Sequence, residues 1–303
     1  MGERDMDVER RSFRVSAGGG ELSLWSVRPA GRDAGRTALF VHGKTFPSVP
    51  DFDLQVPGAG QTHSYMEYLA RRGVHCWCFD HRGFGASWKP AAGTLFTSRV
   101  RSRDLLAVLP TVRRHSPSPI TMVALSLGCA TVAAALEQDS GIAGRIVLLG
   151  PSGWRRLGTA EAQADWRATI AKSGRQRSSY VTADFPSLEK RLWDGEEARV
   201  SRAAFESFVA QAISANPQGP PDRVTALISN ILPYVKKPAI TVPVLAVRGS
   251  DDTLATDEDL AAVRRFVDPS LVTTRVFAGR KHDLHLYNER EDVFASILDF
   301  ARG

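Results

Sequence analysis

An α/β fold, with a mostly parallel sheet covered by helices on both faces, is predicted by two features of the chain. Six short apolar runs recur along it, and segments of helical length separate most of them. The runs are Thr37–Val41, Val74–Phe79, Ile120–Leu125, Arg145–Leu149, Val242–Val247 and Leu271–Phe277. Near-continuous apolar runs of this length suit strands buried on both faces, and parallel neighbours need helical crossovers between them. Thr62–Arg72, Ser98–Arg114 and Asp257–Phe266 read as such helices. At the amino-terminal end, Ser12–Ser16 and Glu21–Val27 flank Ala17-Gly18-Gly19-Gly20, which predicts an antiparallel hairpin at one sheet edge and brings the strands to eight.

Ser126 carries the strongest chemical signal. It stands in Ala124-Leu125-Ser126-Leu127-Gly128, after the run Ile120–Leu125 and before a small-residue helix pattern ending near Leu136. A strand that turns sharply into a helix at a serine presents the hydroxyl in the open, and the next N–H points at the same space. Small neighbours are needed because strand and helix come close there. Ala124 stands where glycine is usual, and the motif alone also fits a helix N-cap.

Three motifs in order make the sequence resemble the α/β-hydrolase superfamily. They are His42-Gly43 after the first core strand, Asp80-His81-Arg82-Gly83-Phe84-Gly85-Ala86-Ser87 after the second, and the serine turn after the third. The resemblance runs from about Ser12 to Phe300. Its nearest likeness is to capped members that include esterases, lipase-like enzymes, C–C bond hydrolases and haloperoxidase-like proteins. It implies an eight-stranded, mostly parallel sheet, helices on both faces and a helical cap.

The resemblance also implies a Ser-acid-His order. The acid belongs just after Val242–Val247, where Gly249-Ser250-Asp251-Asp252 offers two carboxylates. The family spacing picks Asp252, with Asp251 as the alternative in a turn. The histidine belongs after the last strand: His282 matches, and His285 is the competitor. Backbone N–H groups of Leu127 and Lys44 would form an oxyanion hole, with Gly43 allowing the close approach of substrate. His42 reads as structural, the Lys44 side chain as solvent-directed, and Asp80, Arg82 and Ser87 as loop architecture.

The stretch from Phe46 to Gly60 is long for a strand-to-helix connection and predicts an ordered loop over the site, as cover or as substrate contact. From Gly153 to about Tyr234 the strand–helix rhythm stops, and no strand is evident. Glu161–Ala171, Leu188–Trp193, Ser201–Ala212 and Pro221–Ile231 read as helices. The expected organisation is therefore a core of residues 1–152 and 236–303, with a cap of residues 153–235 inserted over the carboxyl end of the sheet. Among its aromatic residues, Trp154 and Trp193 are candidates for lining a substrate pocket, although short helices also need a core of their own.

Composition narrows the class. No apolar run approaches the length of a spanning helix, and the charged start Met1-Gly2-Glu3-Arg4-Asp5 lacks the apolar core of a secretion signal. Cys76 and Cys78 lie two apart in one extended run and cannot easily pair, which together with these features predicts a reducing cytoplasm. The net charge of +6 includes a basic cluster over Arg99–Arg114, read as a solvated helix face rather than a nucleic-acid surface. No metal-ligand spacing and no phosphate or dinucleotide fingerprint occurs, so the expectation is an enzyme with no cofactor and no metal.

The function expected is that of a serine hydrolase cleaving a small-molecule carboxylic ester, lactone or thioester through an acyl-enzyme. A C–C bond hydrolase, an acyl-transferring or cyclising enzyme, and a noncatalytic ligand-binding protein of the same fold are the alternatives. The expected partner is a small-molecule substrate, with no nucleic acid and no membrane; a homodimer stays open.

Overall fold

In the computed structural model, residues 6–31, 33–91, 96–173, 179–193, 195–216, 222–228 and 240–303 are described. The chain opens with β1 (Val8–Ala17) and β2 (Gly20–Pro29), paired antiparallel with Ala17 opposite Gly20. The two-residue turn needs positive φ, which Gly18 (51°) and Gly19 (114°) supply without a Cβ penalty. There follow β3 (Arg36–Val41), α1 (Ser48–Phe52), α2 (Tyr65–Ala70), β4 (Val74–Phe79), α3 (Ser98–His115), β5 (Ile120–Leu125), α4 (Leu127–Leu136) and β6 (Arg145–Leu149). After an intervening segment come β9 (Val244–Gly249), α8 (Asp257–Ala262), β10 (Val272–Phe277) and α9 (Glu291–Arg302). That segment holds α5 (Ala160–Ser173), β7 (Ser179–Asp184), α6 (Phe185–Leu192), α7 (Arg202–Ser214) and β8 (Arg223–Ile228).

Eight strands form one sheet in the order β1-β2-β4-β3-β5-β6-β9-β10. From β4 to β10 every neighbouring pair is parallel, and β2 joins β4 antiparallel. Side chains of period two divide between two cores. Leu39, Val41, Trp77, Phe79, Met122 and Ala124 face α3, α4 and α8. Ala38, Phe40, Cys76, Cys78, Val123 and Leu125 face α1, α2 and α9. Both faces are thus covered, as the apolar runs predict. The strand order reverses at β3, which has β4 on one side and β5 on the other. In open α/β sheets the crevice beyond such a reversal is where ligands bind.

The Asp80–Ser87 run is architecture. The buried Asp80 carboxyl accepts the backbone N–H groups of Ser48 (2.8 Å) and Ala86 (3.0 Å), while burial pushes its pKa up to about 6. The Ser87 hydroxyl donates to the Asp80 carbonyl at 2.6 Å, and the Arg82 guanidinium meets Asp104 at 2.8 Å.

The inserted segment differs from expectation in holding two strands, β7 and β8, where none was evident. Residues 223–228, inside the expected helix Pro221–Ile231, form β8, which pairs antiparallel with β7. Arg-Val-Thr-Ala-Leu-Ile is rich in β-branched residues and finds an equally extended partner in Ser-Tyr-Val-Thr-Ala-Asp, so pairing overrides helical reading. Residues 221 and 229–231, and the expected boundary at 235–236, lie outside the described residues. The helices match better: Asp184 caps α6 by accepting the Ser187 N–H, and Ser201 caps α7 by accepting that of Ala204. Leu188, Leu192, Phe205, Phe208 and Val209 build a third core together with Phe46, Leu54, Leu286 and Tyr287 from loops at the carboxyl end of the sheet. The cap is seated on those loops.

Two aromatic residues expected to line a pocket do other work. Trp154 lies in a short 3₁₀ turn just after β6, is fully buried, and packs edge-on against Phe266 with centroids 5.6 Å apart. It belongs to the core under α8, because the chain has not yet left the sheet when it reaches Trp154. Trp193 stacks on Phe205 and donates its indole N–H to the Val200 carbonyl at 3.0 Å, as part of the cap's own core. Trp154→Ala should therefore act on stability: a loss of about 3–5 kcal/mol is expected for an emptied aromatic site. Denaturant melts check it, and an unchanged midpoint would remove Trp154 from the core.

Candidate active site

The turn between β5 and α4 puts Ser126 at φ 55°, ψ −121°, and it is the one non-glycine residue with positive φ among the described residues. Such a conformation is strained for a residue with a side chain, and surrounding bonds must enforce it. The Ser126 N–H donates to the Leu149 carbonyl at 2.8 Å, and the Ser126 carbonyl accepts from Cys129 N–H at 3.0 Å. Gly128 makes the turn sterically feasible: a Cβ there would lie 2.2 Å from the Val41 carbonyl oxygen of β3. Ala124 is accommodated in place of glycine, fully buried, with the Cys129 thiol donating to its carbonyl. The Ser126 hydroxyl lies 3.5 Å from that of Ser152.

His282 and Asp252 meet from two loops. The loop after β9 brings Asp252, whose Oδ1 accepts the N–H groups of Leu254 (2.8 Å) and Ala255 (3.0 Å). Its Oδ2 lies 2.7 Å from His282 Nδ1. Burial pushes the Asp252 carboxyl up, but the hydrogen bonds from His282, Ala255 and Leu254 outweigh it and leave the pKa below its ordinary value. An ionised acceptor at Nδ1 keeps the proton there and leaves Nε2 as the bare acceptor. His282 Nε2 is buried and has no hydrogen-bond partner among the described residues. Gly150, at the end of β6, lets the imidazole sit against the backbone: a Cβ there would be 2.7 Å from His282 Cε1.

The two competitors are placed apart from this pair. Asp251 is exposed and accepts from the Ser250 hydroxyl at 2.6 Å. His285 is buried between the rings of Tyr65 and Phe208, and burial pushes its pKa down to about 4.

Ser126, Asp252 and His282 share one cavity of about 650 Å³. Gly43, Lys44 and Leu127 also line it; Trp154 and Trp193 do not. Its apolar wall is Phe46, Leu125, Leu127 and Leu254 instead. Phe46 belongs to the long loop after β3 and meets cap residue Phe208 edge-on at 4.7 Å, so that loop both covers the site and faces the cavity.

Two residues escape the sequence reading. Ser152 stands in the loop after β6 without a motif of its own, yet its hydroxyl lies 3.5 Å from that of Ser126. Arg101 belongs to the basic cluster read as solvated, and it is fully buried while Arg99, Arg103, Arg113 and Arg114 are exposed. The signal was present: Arg101 lies on the helical stripe of Leu105, Val108 and Val112, the face α3 turns to the core. Among the described residues, no group of three His, Cys, Asp or Glu side chains could hold a metal ion, and no helix is long and apolar enough to cross a membrane.

Solved structures share this arrangement of strands and helices over nearly the whole chain. The thioesterase domain from the curacin biosynthetic pathway superposes with a TM-score of 0.66 at 15% identity, covering 96% of this chain and 99% of that one. A thermophilic esterase from Thermogutta terrifontis, with malate bound, gives 0.61 at 16%, covering 96% and 98%. E-2-(acetamidomethylene)succinate hydrolase gives 0.60 at 19%, covering 97% and 100%. At such identities the likeness is one of fold. No curated protein matches the chain. Residues 38–297 match the family model described as alpha/beta hydrolase family, and the chain belongs to that family.

Proposed function

We propose that the protein is a serine hydrolase that cleaves a small-molecule carboxylic ester, lactone or thioester through an acyl-enzyme. The observation that carries this reading is the 2.7 Å His282–Asp252 bond, which leaves Nε2 without a partner on a residue that lines the same cavity as the strained Ser126. Ser126 Oγ attacks the carbonyl carbon while His282 Nε2 takes its proton. Asp252 orients the ring and stabilises the imidazolium. The tetrahedral oxyanion accepts from the N–H of Leu127, which opens α4 and has no intrahelical partner, and from the N–H of Lys44. Collapse expels the alcohol or thiol, which takes the proton from His282. Water then repeats the sequence on the acyl-enzyme, releasing the acid and restoring Ser126. The resting hydroxyl lies 3.5 Å from that of Ser152, and the reading requires it to turn towards His282; catalytic hydrogen bonds often tighten only with substrate present.

Lys44, Arg191 and Lys281 beside the cavity support a second reading, a carboxylate-bearing substrate and C–C cleavage by the same residues. Asp51, Asp251 and Asp283 line the cavity as well and weigh against an anion site. A panel of esters, thioesters and C–C substrates separates the two.

A fluorophosphonate probe should label wild-type protein at Ser126, and Ser126→Ala should fold normally and take no label. Label on another serine, or full turnover in that variant, refutes the assignment. Asp252→Asn should lower single-turnover rates by about 10⁴, as loss of the orienting acid does in the protease triad. Asp251→Asn should change them little, and the reverse ranking would move the acid to Asp251. Phe46→Ala should shift kcat/KM across acyl lengths by an amount worth about 1–3 kcal/mol per methylene, with the acylation burst preserved. A uniform loss across all lengths would take Phe46 out of the acyl pocket.

A further inference from the structure

Arg101 is a buried cation that no carboxylate among the described residues binds. Its Nη2 donates to two backbone carbonyls, those of His42 (2.5 Å) and Gly43 (2.9 Å), and its Nε donates to the Thr131 hydroxyl at 3.1 Å. Thr131 in turn donates to the Leu127 carbonyl at 3.3 Å. Phe84 and Phe96 lie 5.6 and 6.0 Å from the guanidinium carbon. Asp104, the acid whose charge acts most on it, is bonded to Arg82 instead. Burial pushes the Arg101 pKa down to about 9, which still leaves a cation at neutral pH. Burying a charge without an ionic partner is costly, and here the compensation comes from carbonyl oxygens of one loop.

Those carbonyls are not arbitrary. Gly43 O accepts both from Arg101 and from His42 Nδ1 (2.9 Å), while His42 Nε2 accepts the His81 N–H at 3.1 Å, which fixes the ring as a donor at Nδ1. The Gly43–Lys44 peptide is trans, so a carbonyl held on one side sends the Lys44 N–H to the other. Donors on a carbonyl also polarise its peptide and make the N–H of that unit a stronger donor.

We propose that Arg101 is a positioning residue for the oxyanion hole. It fixes the Gly43 carbonyl so that the Lys44 N–H aims into the cavity, and through Thr131 it ties that loop to the helix start that carries the Leu127 N–H. The inference rests on the serine-hydrolase reading and extends it to a side chain that touches no substrate. A mere packing brace would occupy the same volume but leave the transition state untouched.

The test compares Arg101→Met and Arg101→Lys with wild type on a small p-nitrophenyl ester, with rates expressed per Ser126 titrated by fluorophosphonate. Arg101→Met should lose about 10²–10³ in kcat, the usual effect of disabling one oxyanion donor, with KM nearly unchanged. Arg101→Lys, which can reach one carbonyl but cannot fork, should recover part of the loss. Affinity for a boronic acid, which becomes a tetrahedral anion on Ser126, should fall in parallel with kcat. Affinity for a neutral, unreactive ester analogue should hold. Wild-type kcat per labelled site in Arg101→Met, or equal losses for both inhibitors, overturns the proposal. Should Arg101→Met fail to fold, Arg101→Lys decides: unchanged kcat and boronic-acid affinity there refute it. Absence of label on wild-type Ser126 is a distinct outcome, which removes the hydrolase reading and this inference with it.

Discussion

The close approach of β3 to the start of α4 is the constraint on which the site depends. Only a glycine at 128 leaves room for the Val41 carbonyl, and only that contact lets the turn at Ser126 be as sharp as it is. The positive φ of Ser126 is unfavourable in isolation and persists because β5, β6 and α4 all hold its backbone. The same approach brings the loop after β3 beside the serine. Ser126 and the loop after β3 that faces it are therefore brought together by one packing contact at the reversal of strand order.

Around that contact lies a set of buried polar groups, and each makes at least one bond to backbone. His42, Asp80, Arg101 and Asp104 have no solvent exposure. Burial holds the His42 pKa well below its ordinary value, so the ring stays neutral and can both donate at Nδ1 and accept at Nε2. A protonated ring would lose the acceptor for the His81 N–H. The folded-state depression means that this arrangement is present at neutral pH and is lost only where acid protonates the ring. Asp80 plays the corresponding part for the neighbouring loop by accepting from Ser48 and Ala86. These groups fix the path of loops that have no regular structure of their own, which apolar packing alone does less sharply.

Most of the sheet was legible because its strands are short, apolar and separated by amphipathic helices. The runs at 74–79, 120–125 and 145–149 coincide with β4, β5 and β6. The positions of Asp252 and His282 were legible from motif order, since the residues that must converge lie just past strand ends. Two things were not. The expected helix over 221–231 contains β8, because a strand of six residues paired only with β7 leaves little periodicity to read. Arg101 was hidden by its type: a run of arginines suggests solvent, and only the stripe shared with Leu105, Val108 and Val112 marks one of them as inward.

The cap has a mechanical relation to the chemistry that its composition did not show. Among its described aromatic side chains, Trp193 and Phe185 both pack on Phe205, so they stiffen the cap and leave the apolar cavity wall to loops of the core. Phe208 touches both Phe46, in the loop after β3, and His285, three residues past His282. Burial keeps His285 neutral, so its contacts with Phe208 and Tyr65 are those of an aromatic ring and not of a charge. The loop that carries His282 is thus clamped between cap and core through His285, and the loop that carries Gly43 and Lys44 is clamped through Phe46. A shift of α7 that moved Phe208 would displace both loops together, one on each side of Ser126. The position of α7 is thus coupled through that one phenylalanine to the loop that carries His282 and the loop that carries Lys44.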